Sequence, residues 1–129
     1  MTTIEAIDYA RRRVKQLATA YKLDNVLDIK VLCHESETDD CYDANFDFDT
    51  KYAHSTVNLY FPHNNQIDIS ELDALIEHEM MHALTHEMDW LRRNVEALDL
   101  DEADDVIIEL MEKVAKRLIS IKTDGGFNV

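Results

Sequence analysis

Glycine and proline are nearly missing from this sequence, at two and one in 129 residues. A chain this poor in both has little material for flexible linkers and few cheap left-handed turns. One domain over residues 1–129 is expected, long enough to bury a core. Cysteine is scarce too. Cys33 and Cys41 stand eight positions apart across an acidic stretch, which is no disulfide framework, and both are read as free thiols. No run of 18 apolar residues occurs, so no membrane-spanning helix is expected. The opening "MTTIEAIDYARRRV" puts acids before its arginines and lacks an apolar signal-peptide core, which makes a cytoplasmic location the expectation. Positive charge is short as well: 13 Lys and Arg against 27 Asp and Glu, a net −14. That field opposes nucleic acid and anionic membrane alike, and it leaves open a basic partner or a protein that imitates nucleic acid.

What is present has clear periodicity. Ile4, Ile7, Val14, Leu17, Ala18 and Tyr21 recur at helical spacing behind a Thr2/Glu5 capping box. "VLDIKVLC" (26–33) is rich in β-branched residues and reads as a strand. In "CYDANFDFDT", Ala44, Phe46 and Phe48 alternate with Asp43, Asn45, Asp47 and Asp49, the pattern of a half-exposed strand. Its acids lack the glycine and closing glutamate of a calcium loop. "HSTVNLYF" (54–61) alternates through Val57, Leu59 and Phe61 as a third strand.

From Ser70 the period becomes 3.6. Ser70 and Asp73 have N-cap and N3 character, Leu72, Ile76, Met80, Ala83 and Leu84 share a face, and the helix is expected to run to about Leu91. A last helix over 100–121 carries Ala103, Ile107, Leu110, Val114, Leu118 and Ile121, and "TDGG" ends it. The order α-β-β-β-α-α predicts an α+β domain, with the last two helices packed antiparallel.

The chemistry concentrates in "HEMMHALTH", residues 78–86. On a helix His78 and His82 lie one turn apart on one face, so both imidazoles can meet one ion. Glu79, offset by one residue, can reach a water held by that ion and take its proton. His86 rises about 12 Å beyond His78 and cannot share the ion, so it is expected exposed or beside the ligands.

A helix, a small sheet and then an H-E-x-x-H helix resembles the minimal zincin metallopeptidase domain, nearest to short phage-type and ImmA/IrrE-like gluzincins and more distantly to SprT-like proteins. The likeness spans about residues 54–118, and only His78-Glu79-Met80-Met81-His82 is specific. It implies zinc (Zn2+) as cofactor, a peptide or protein substrate, and a substrate-binding role for the strand at 54–61. It also implies a third protein ligand. Glu102 has the thermolysin-like spacing, but with Asp99 it forms a plausible capping box. Glu109 opens "ELMEKVA", which resembles the last helix of short phage zincins, and it is the preferred third ligand. Glu112 reads as a solvated residue. Tyr60, His54 and His63 are equal candidates for oxyanion stabilisation.

Two other readings remain open. The chain can be an acidic interaction protein or nucleic-acid mimic whose motif is vestigial. Alternatively, the zinc is structural, closed by a fourth ligand such as His86.

Overall fold

A computed structural model of the protein describes residues 1–35, 43–49, 54–62 and 66–128. The architecture is α+β: helix α1 (Thr3–Ala20), strands β1 (Asp28–Glu35), β2 (Asp43–Asp49) and β3 (His54–Phe61), then helices α2 (Ile69–Leu84), α3 (His86–Asn94) and α4 (Leu100–Thr123). Cys41 and His63 lie outside the described residues; Cys33 is a free, half-buried thiol. No helix is long and apolar enough to cross a membrane among the described residues.

Helix α1 starts on the expected capping box, with Thr2 accepting from the Glu5 amide and Glu5 accepting from the Thr2 amide. It ends without glycine. Lys22 takes the left-handed conformation (φ 57°) and the Leu23 amide donates back to the Ala18 carbonyl, which secures the helix end and buries Leu23. At the other end of the chain, Gly125 (φ 72°) supplies the same turn after α4. Gly126 then passes so close to the Ala20 carbonyl that a Cβ there would lie 2.6 Å from it.

The sheet order is β1-β3-β2, with β1 parallel and β2 antiparallel to β3. Strand β3 is therefore central, and it buries Ser55 and Asn58 as well as Val57, Leu59 and Phe61. On the open face Asn58 crosses all three strands. Its amide donates to Asn45 Oδ1 (2.8 Å) and Asp47 Oδ2 (3.2 Å), and its carbonyl accepts from His34 Nε2 (3.2 Å). A one-residue slip would break every one of these bonds.

Helices α1 and α2 cover the other face, burying Ala6, Ala10, Val14 and Leu17 against Leu72, Ile76, Met80, Ala83 and Leu84. Asp68, rather than Ser70, caps α2, accepting from the Ser70 and Glu71 amides. Asp73 is thereby released from the expected capping role and joins α1 instead. It accepts from Tyr9 Oη (2.6 Å) and Arg13 Nε (3.0 Å), while Arg13 also reaches Glu77. These bonds hold one flank of α2 on α1 and leave the opposite flank beside β2.

Two expectations about the helices fail. The helix that starts at Ile69 stops at Leu84, because Thr85 leaves helical geometry (φ −114°, ψ 32°) and its hydroxyl donates to the Met81 carbonyl. Such back-bonding by threonine bends helices. Helix α4 then packs on α3 and on the far end of α1, not along α2. It meets the end of α2 through Arg117, whose Nη1 donates to the Leu84 carbonyl (2.8 Å) and whose guanidinium forks onto the buried Glu87 carboxylate. From residue 101 to 113, α4 buries no side chain. Asp99 makes no side-chain cap bond, so the expected Asp99/Glu102 box is absent.

Candidate functional site

The flank of α2 that faces away from α1 carries His78, Glu79 and His82. One donor atom from each lies within 4.8 Å of the others, and they are the sole such group among the described residues. The rings of His78 and His82 meet edge-on with centroids 5.1 Å apart, as one helical turn dictates. Their exposures differ from that of the glutamate between them. His78 and His82 side chains are 68% and 45% exposed, whereas Glu79 is 6%. The helix phase explains this, because Glu79 leans toward the Met80/Ala83 side and the sheet while the imidazoles stand at the rim.

Burial pushes the Glu79 carboxyl above its ordinary range. His82 and His78 pull it back, and the carboxylates of Asp43 and Asp89 push it up further. A carboxylate held reluctantly ionised is a better proton acceptor than a free one. Beside it lies an open groove of about 570 Å³, lined by Asp43 and Ala44 of β2 and by Glu71, Ala74, Leu75, His78 and Glu79 of α2. A larger hollow between α1 and β1, about 810 Å³, contains none of the motif residues and has no part in this chemistry.

The other residues named from sequence fall as follows. Glu109 does not join the group. Its side chain is 69% exposed and faces Lys113 on its own helix. The cause is the packing of α4, which meets α2 at Arg117, eight residues or about 12 Å further along the axis. Glu102 and Glu112 are exposed on the same outlying helix. His86 is buried rather than exposed. Its Nδ1 lies 2.9 Å from the Ala83 carbonyl and its ring packs on Phe48, so it occupies the core side of the bend and not the rim. His54 is engaged with Asp28, and Tyr60 stacks on His34. Strand 54–61, expected to hold a peptide, has both its edges paired within the sheet. The strand at the edge beside α2 is β2.

Sequence reasoning missed Asp89. Its Oδ2 lies 3.5 Å from His82 Nδ1, and its side chain is only 22% exposed. In an unbroken helix those two residues would stand about 10.5 Å apart along the axis. The bend at Thr85 brings them together, and with neither glycine nor proline nearby no residue type announces it.

Comparison with family models, with curated proteins and with solved structures returned no match.

Proposed function

We propose that the protein is a zinc-dependent metallopeptidase. The reading is carried by the convergence of two exposed imidazoles and one buried carboxylate on one flank of α2. The donor set fits the ion: two neutral nitrogens from adjacent helical turns suit zinc better than calcium or magnesium, which want oxygen. His78 and His82 would hold the metal, which when bound would acidify a water and polarise a peptide carbonyl. Glu79 is the proton-handling group. Its raised pKa suits it to take a proton from the attacking water and pass it to the departing amine.

The substrate is read as a basic peptide in extended form. The groove is walled by Asp43, Glu71 and Glu79, and β2 presents Asp43 and Asp47 to solvent at the sheet edge. An edge strand can pair with an incoming strand through its backbone, and alternate acids would select Lys or Arg side chains. Work on nucleic acid or at an anionic membrane is disfavoured by the charge of −14.

The first test is metal content. Full-length protein should carry one zinc per chain, and His78→Ala or His82→Ala should lose it. Both side chains are exposed, so circular dichroism of the two variants should match the parent. Stoichiometric zinc in both variants would refute the site. An absence of zinc together with tight, salt-sensitive binding to a basic DNA-binding protein would favour an acidic mimic.

A further inference from the structure

We propose that Asp89 supplies the third protein ligand of this metal centre, an inference that rests on the metallopeptidase reading of His78 and His82. A catalytic zinc takes three protein ligands, and Glu109 is turned to solvent on a helix that packs elsewhere. Asp89 is placed differently. It follows the bend at Thr85, lies in the first turn of α3, and presents its carboxylate to the His82 ring.

The separation itself is informative. At 3.5 Å the Asp89 oxygen is beyond the 2.7–3.2 Å of an ordinary N–H···O hydrogen bond. Two ligand atoms each about 2.0–2.2 Å from one tetrahedral zinc stand about 3.4 Å apart. That spacing suits two ligands of one ion and equally an ion pair between the carboxylate and the His82 ring; Asp89 stands outside the 4.8 Å group of His78, Glu79 and His82, so ligation requires its side chain to turn toward His78.

Asp43 accepts from the Ala44 amide at 2.8 Å, and Glu79, one residue from His78, is buried behind the imidazoles. Among the described residues the Asp89 carboxylate has His82 as its sole ion-pair partner.

The bend is itself braced. Thr85 Oγ1 bonds the Met81 carbonyl, and Arg117 ties Leu84 to Glu87 across the break. The angle between α2 and α3 that brings Asp89 to His82 is thus set by bonds independent of the metal.

The test measures zinc affinity by competition with a chromophoric chelator, on full-length protein stripped of metal, and the absorption spectrum of bound Co2+. Asp89→Asn, Asp89→Ala and Glu109→Ala are compared with the parent, with circular dichroism to confirm folding. Asparagine keeps the shape and a hydrogen-bond acceptor but is a poor zinc ligand. The proposal expects both Asp89 variants to bind zinc at least about 10²-fold more weakly, beyond the 10–100-fold loss typical of an outer partner. It also expects an altered Co2+ spectrum in both and no change in Glu109→Ala. Affinity retained in Asp89→Asn but lost in Asp89→Ala would make Asp89 a positioning residue for His82 and overturn its role as ligand. Loss confined to Glu109→Ala would overturn it in favour of Glu109. A parent protein that binds zinc no better than the His78→Ala variant would instead remove the metallopeptidase reading, and Asp89 with it.

Discussion

Glu79→Gln should lower peptide hydrolysis by at least about 10²-fold while leaving the zinc in place. Glutamine has the volume and shape of glutamate but cannot accept the proton, so binding and chemistry separate in this one variant. Metal analysis and turnover of a lysine-rich peptide measure the two. A rate within a few-fold of the parent would assign the base elsewhere, and lost zinc would make Glu79 a ligand.

The same variant should change stability in the opposite sense. Burial raises the Glu79 carboxyl, so the folded chain keeps this proton to higher pH than the unfolded chain does. Below the unfolded pKa, about 4.3, both states are protonated and the group is neutral to stability. As pH rises toward the folded pKa, the ionised carboxylate increasingly favours unfolding. Metal-free Glu79→Gln should therefore match the parent near pH 4 and melt higher at pH 7. A variant that melts lower at pH 7 would show that the carboxylate contributes to the fold.

Arg117→Met is expected to produce the largest loss of stability, about 3–5 kcal/mol, the scale for leaving one half of a buried ion pair uncompensated. For a chain of this size that is a fall in Tm on the order of 10–20 °C. Arg117 contacts both the Leu84 carbonyl and Glu87, and both side chains of the pair are largely buried. Burial alone would raise the Glu87 carboxyl, yet the hydrogen bonds from Arg117 bring it below its ordinary range. That contribution is fully present above the unfolded pKa near 4.3 and fades as pH falls through the lower folded value. The gap between parent and variant should accordingly be wide and level from pH 7 down to about 4.3 and narrow only below that. A gap independent of pH would mean that Arg117 acts by packing its stem, not by charge. Zinc affinity should fall alongside, because the α2–α3 angle rests on the same guanidinium.

Most of the fold was legible because it follows from period and capping. Strand β3 occupies residues 54–61, the stretch marked by alternation, and the Thr2/Glu5 box starts α1 as its spacing implies. The inward set of β2, Ala44, Phe46 and Phe48, packs on the core. The motif also follows from helical spacing, since i and i+4 converge on any helix. What the sequence did not disclose depends on contacts between distant segments. The stop at Thr85 interrupts a helical pattern that contains neither glycine nor proline, and only the back-bond and the Arg117 brace show why the chain turns there. The seat of α4 was misjudged for the same reason. A short connection suggested antiparallel packing along the motif helix, but once α3 breaks away, α4 follows α3 and leaves Glu109 in solvent. The central place of β3 was hidden too, because strand order is set by pairing across segments and not by alternation within one.

The mixed sheet also orders the events of folding. Strands β2 and β3 pair antiparallel from Asp49↔His54 outward, so their first contacts close a short loop. Strand β1 must join β3 in parallel, with every partner 26 positions away, as Asp28 is from His54. The α1–α2 bonds span 60 to 64 positions, and Lys22 meets Ser120 across 98. Loop closure grows costlier with separation, and non-local contacts slow the search for the native state. Assembly should begin at the β2–β3 pair, admit β1 next, and seat α4 last. The edge strand proposed to receive substrate would then belong to the earliest-formed part of the molecule, while the helix bracing the bend beside the proposed metal site would be its final addition.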